Sequence, residues 1–117
     1  MTPLDPTVEP QSLTKHFNEA LILSSLKGGP KHGYQLALDI EERSGGRFGF
    51  KHGTLYPILH KLESDGLILG NWLPKGTGRQ RKSYQLTDAG RKRLDDERVA
   101  WREFFGRFFQ VAGEEGQ

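Results

Sequence analysis

Lys75, Arg79, Arg81 and Lys82 lie close together among Gly76 and Gly78, with no acidic residue between them. Such cations can neutralise phosphates, and the glycines let a loop approach a sugar–phosphate backbone or enter a minor groove. A solvated surface loop is the alternative, although the one-sided charge argues against it. Upstream, Leu55, Ile58, Leu59 and Leu62 fall at i, i+3, i+4 and i+7, one face of a helix. The opposite face then carries Tyr56, Pro57, His60, Lys61 and Ser64. Lys61 can reach a phosphate or a guanine, and His60 can donate to a base or a phosphate. Tyr56 and Pro57 can meet sugar–phosphate or a thymine methyl group. Thr54 and the free N–H groups at the helix start can hold a phosphate, with Lys51 and His52 at the entrance. An ordinary amphipathic helix would show the same spacing. The basic hairpin behind it favours a nucleic acid.

Other chemistries find little support. There is no G-x-S-x-G, no P-loop and no plausible pair of catalytic carboxylates, since Glu41-Glu42 and Asp95-Asp96-Glu97 read as solvated helix faces. His16, His32, His52 and His60 are scattered in sequence without a metal-binding motif, and cysteine is absent. We therefore expect no catalytic residue, no metal and no cofactor.

The elements that must position these residues follow from periodicity and breakers. A first helix fits Leu13 to Leu26, with Leu13, Phe17, Ala20, Leu21 and Leu26 apolar, before Gly28-Gly29-Pro30. A second fits His32 to Ser44, with Tyr34, Leu36, Ala37 and Ile40 inward and Asp39, Glu41, Glu42 and Arg43 outward, ended by Gly45-Gly46. The third helix has Thr54 as its N-cap, Pro57 in the first turn and Gly66 as its stop. Leu67 through Trp72 and Lys82 through Leu86 read as the two strands of a hairpin whose tip is the basic turn. Tyr34 and Tyr84 are expected mainly in the core. Thr87 caps a last helix running to about Val111.

This order, three helices, a hairpin and a helix, is that of a winged helix-turn-helix, with the third helix as the reading helix. The fold class is mainly α with a small β-hairpin (α+β). We divide the 117 residues into a disordered tail (1–11), the winged domain (12–86), a C-terminal helix (87–112) and a second tail (113–117). The charge follows this division: the formal net charge is +2, yet residues 12–92 carry 13 Lys and Arg against 7 Asp and Glu, and both ends are acidic. The longest apolar stretch, Ala20 to Leu26, is too short to span a bilayer, and the N-terminal residues do not read as a secretory signal.

Three strings carry a family resemblance: HGYQLALDIEE, GTLYPILHKLESDGLI and GRQRKSYQLTDAG. Together, over about residues 14–94, they resemble the PadR-type transcriptional regulators. Ser83, where an aromatic residue is common, and Lys51-His52 depart from the family pattern. The resemblance implies a homodimeric repressor on a palindromic operator, of the ATGT/ACAT inverted-repeat type, controlled by a small aromatic effector or drug.

The C-terminal helix suits a dimer on its own evidence. Leu94, Trp101, Phe104, Phe105, Phe108, Phe109, Val111 and Ala112 form a band too wide for one-sided packing and too aromatic to leave wet. Positions 97, 101, 104, 108 and 111 follow a 4-3-4-3 spacing along it. We expect a homodimer interface of Phe17, Leu21, Leu94, Trp101, Phe104, Phe105, Phe108 and Phe109, with part of the band lying on the chain's own first helix. Trp101 filling a dimer core without any ligand is the plainer reading. The resemblance adds a second, since in short drug-sensing family members a tryptophan at this place stacks on flat drugs. Phe17, Phe104, Phe105 and Phe108 are then the neighbours of an effector.

The expected partners are double-stranded DNA, a second copy of the chain and a small aromatic ligand, with no membrane; the expected location is cytoplasmic, on the nucleoid. A winged helix used for protein contact, or a ligand-binding protein without an operator, stands as the alternative.

Overall fold

The apolar periods and breakers above are realised in a computed structural model that describes residues 10–73 and 81–113. The elements are α1 (Pro10–Leu26), β1 (Lys31–His32), α2 (Gly33–Arg43), α3 (His52–Ser64), β2 (Ile68–Trp72), β3 (Lys82–Leu86) and α4 (Asp88–Ala112). The chain is thus four helices with a small antiparallel sheet, an α+β fold.

Several boundaries differ from the expectation. Helix α1 starts at Pro10, so Pro10 and Gln11 belong to a helix rather than to a tail; proline suits a first helical position, where its missing N–H has no partner to lose. Its deepest residues are Ile22 and Leu23, while Leu13, Phe17, Ala20 and Leu21 are half-buried. His32 is not helical. With Lys31 it forms a third strand, and the sheet order is β1-β3-β2, with Lys31 opposite Tyr84 and Ile68 opposite Leu86. Two residues are too few to show a period-2 pattern, so only their pairing to β3 makes them a strand.

At α3 the N-cap is Lys51, not Thr54. The extended Lys51 turns its carbonyl to the N–H groups of Thr54 and Leu55, both at 2.9 Å. That opens the helix earlier than expected and places Pro57 in the second turn, where the carbonyl of Gly53 loses its usual donor.

Leu36, Leu55, Leu59, Leu62, Ile68, Leu86 and Leu94 close over Ile22 and Leu23 as a single core. Ser25 on α1 fastens α2 to it by donating to Asp39 Oδ2 at 2.6 Å. That hydroxyl, ahead of the Arg43 guanidinium, holds the Asp39 carboxyl below its ordinary range. Asp39 is therefore half-buried rather than outward-facing. Thr87 caps α4 as expected, accepting from Gly90 N at 3.0 Å and donating to the Gly66 carbonyl at 2.7 Å. Gly90 lets α4 start hard against the sheet, since a Cβ there would collide with the Leu67 carbonyl. Among the described residues no helix is long and apolar enough to cross a membrane.

Candidate functional site

Of the residues expected to face DNA, His52, Tyr56, His60, Arg81 and Lys82 line a cavity of about 1150 Å³ between α3, the start of α2 and the hairpin strands, whereas Lys51, Thr54, Pro57 and Lys61 do not. Helix α3 supplies His52, Tyr56, His60 and Glu63. The β1–α2 junction supplies His32, Gly33, Tyr34 and Gln35, the strands supply Trp72, Lys82 and Tyr84, and Arg81 adds to them from just before β3. Leu55, Leu59 and Leu62 are buried beneath α3, while Thr54, Tyr56, Pro57, His60 and Lys61 are exposed, as the helical period required.

Tyr34 departs from the expectation. It is 71% exposed, because the helix it opens begins only at Gly33 and its side chain stands off the core at the first turn. Tyr84 is buried, and burial pushes its hydroxyl titration up. The histidines also differ. Three of the four, distant in sequence, line this one cavity. Among the described residues, however, no group of three potential ligands could hold a metal. Tyr56 packs against His52 with ring centroids 4.4 Å apart and the planes tilted by 40°. Its hydroxyl end reaches Gly33, where any β-carbon would collide with it.

The cations divide into two groups. Lys82 donates to Glu63 at 2.8 Å, which raises its ammonium titration, and it lies 5.6 Å from the Trp72 ring and 5.5 Å from that of Tyr84. Lys61 turns along its own helix to Asp65 at 2.7 Å and stands 4.0 Å from Glu19, so it does not line the cavity. Both are committed within the chain. Lys51 and Arg81 are exposed. Lys75 and Arg79 lie outside the described residues.

A second, smaller groove of about 320 Å³ runs between α1 and α4. Phe17 and Leu21 line one side, and Leu94, Trp101 and Phe105 the other. Trp101 packs edge-on to Phe17 at 5.4 Å and to Phe104 at 5.6 Å, and stacks on Phe105 at 5.7 Å. Phe48, from the α2–α3 connection, joins this cluster through Phe17 at 4.9 Å, a member that the aromatic band of the last helix could not reveal. Phe108 pairs with Phe109 instead, beyond the groove. Phe105, Phe108 and Phe109 are each 43–54% exposed, and Val111 is 91% exposed.

Beneath the groove lies a polar group of side chains. Glu97, expected on a solvated face, is 1% exposed. It accepts from Arg93 Nε at 2.6 Å and from the Trp101 indole at 3.2 Å. Arg93 also donates to Glu19, 3% exposed, at 3.4 Å. Glu97 stands four residues before Trp101, so it shares the stripe of Trp101 and Phe104; the spacing held the signal, and its charge masked it.

The geometry agrees with comparisons to known proteins. The family model described as "Transcriptional regulator PadR-like family" matches residues 22–96. The negative transcriptional regulator PadR of Bacillus subtilis is 36% identical over 75 residues, which are 64% of this chain and 41% of that protein. A transcriptional regulator of Mycobacterium tuberculosis is 47% identical over 51 residues, 44% of this chain and 47% of its own. The chain thus spans under half the length of either relative. A crystal structure of a PadR-family regulator from Clostridium difficile superposes with TM-score 0.72 at 31% identity, covering 83% of this chain and 99% of that one. The structure of B. subtilis PadR in complex with operator DNA gives TM-score 0.65 at 32% identity, over 71% of this chain and 46% of that one.

Proposed function

Because the chain belongs to the PadR-like family of transcriptional regulators, we propose that it is a homodimeric repressor that reads a palindromic operator and releases it on binding a small aromatic effector. The observation that carries DNA reading is the exposed face of α3, with Tyr56, Pro57 and His60 standing clear of the core beside the hairpin strands. Lys51, His52, Thr54 and Arg81 belong to the proposed contact set, as do Lys75 and Arg79, which lie in sequence between the two hairpin strands. Lys61 and Lys82 contribute less, because each already holds a carboxylate.

The dimer reading rests on Phe105, Phe108, Phe109 and Val111, an apolar strip exposed on α4 that a second copy would bury. A two-fold protein also matches a two-fold site. The effector reading rests on the α1–α4 groove, where Trp101 and Phe17 offer aromatic faces to a planar ligand. Phe104 backs Trp101. A repressor would work at the chromosome, in the cytoplasm.

The test is fluorescence anisotropy of the purified chain, across a salt series, on the DNA upstream of its own gene and on a scrambled duplex. Tighter binding to the upstream DNA supports the reading. Weak, equal binding lost with modest salt argues for a basic patch only, and a failed selection from genomic DNA would then favour protein contact.

A further inference from the structure

Helix α3, the β1–α2 junction and the hairpin strands all contribute lining residues to the larger cavity. In B-DNA one sugar–phosphate strand separates a major groove about 12 Å wide from a minor groove about 6 Å wide. A duplex that takes α3 into its major groove and the hairpin toward the adjacent minor groove must pass that strand through the cleft.

Among the described residues, few permanent charges line this cleft. Arg81 and Lys82 against Glu63 leave one net positive charge among the described lining residues. Lys82 is spent on Glu63. What the cleft offers instead is imidazole: His52 and His60 are both exposed and both line it. The Tyr56 ring packed on His52 presents a surface that favours a cation. Phosphate beside an imidazole favours its charged form, and histidine as a residue type titrates nearest neutral pH.

We propose that one phosphodiester strand of the bound duplex threads this cleft and meets His52 and His60 in their protonated form, so that DNA binding takes up protons. This rests on the DNA reading above. His32 is set apart from the pair. It is half-buried, and its Nδ1 is shut off from solvent without a partner, so a doubly protonated ring would lack an acceptor. The remaining ionisable groups among the described lining residues are the phenols of Tyr34, Tyr56 and Tyr84, a residue type that titrates near 10. With both imidazoles charged, the described lining residues carry three net positive charges instead of one.

The experiment measures the affinity of the full chain for a labelled duplex selected by it from a random pool, at constant ionic strength. We expect binding to be at least roughly tenfold tighter at about pH 6 than at about pH 8, since the slope of log affinity on pH counts protons taken up. The salt slope should steepen at the lower pH by about 0.9 for each further phosphate that the charged imidazoles neutralise. The double variant His52→Gln with His60→Gln should lose the pH dependence, its affinity staying flat over this range whatever its absolute value. His16→Gln, on α1 and outside the cleft, should keep the wild-type profile. A flat wild-type profile with salt-dependent binding intact overturns the proposal and leaves the DNA reading standing. So does a pH dependence that survives in the double variant. Absence of duplex binding at every pH overturns the DNA reading itself.

Discussion

The hydroxyl end of Tyr56 on α3 lies against Gly33, the first residue of α2, so closely that no β-carbon fits between them. The contact joins the two helices of the helix-turn-helix at the edge of the candidate DNA face. Gly33→Ala should displace the Tyr56 ring at little cost in stability, because the collision falls on the far end of an exposed side chain. Duplex affinity should fall all the same. Adding Tyr56→Ala to Gly33→Ala should not restore it, while a urea titration shows all three proteins folded. A Gly33→Ala variant with wild-type affinity would refute Tyr56 as a reader.

Arg81 and Lys82 are neighbours with different commitments. Arg81→Ala should weaken binding to all duplexes alike and lower the salt slope by about one. Lys82→Ala should change the slope less and cost roughly 1 kcal/mol of stability, because its ammonium is engaged with Glu63. Anisotropy across a salt series separates them.

The pair of buried Glu97 and half-buried Arg93 should behave unlike the surface pair Lys92 and Asp96, although both pairs are four residues apart on α4. Glu97→Ala leaves Arg93 with Glu19 alone and the Trp101 indole without its acceptor, a loss of about 1–3 kcal/mol. Lys92→Ala should leave the denaturation midpoint unchanged. Equal effects would show that Glu97 is not buried in solution.

Phe108→Glu should convert a dimer to a monomer, read as a halved mass in sedimentation. Phe108 is 54% exposed on the single chain, so the charge costs the monomer little and the interface much. A wild-type chain that is already monomeric at high concentration would end the dimer reading.

Ser25→Ala should cost about 1–2 kcal/mol near neutral pH by removing the donor to Asp39. The Asp39 carboxyl is held below its ordinary 3.8, first by the Ser25 hydroxyl. A depressed carboxylate contributes stability above its unfolded value and loses it as pH falls through the folded one. The gap between wild type and variant should therefore narrow on acidifying below about pH 3.8, measured as thermal midpoints. A gap that stays constant would mean that Asp39 does not carry it.

Much of this protein could be read from one dimension. Leu55, Ile58, Leu59 and Leu62 determined a helix with Tyr56, Pro57, His60 and Lys61 outward, because a 3.6-residue period is local. Thr87 announced α4 for the same reason, since a cap bonds three residues away. The three strings pointed to the family that the fold then bore out. What tertiary structure alone decided involves residues distant in sequence. Lys31-His32 became a strand only beside Tyr84 and Ser83. Phe48 met Phe17 across 31 positions. Glu97 looked like surface because a carboxylate is costly to bury, and only Arg93 and the Trp101 indole, brought round by the helix, make that burial tolerable. Lys61 and Lys82 looked equally free until their carboxylates arrived. Periodicity fixes which way a side chain points; which partner waits there is set by the packing of distant segments.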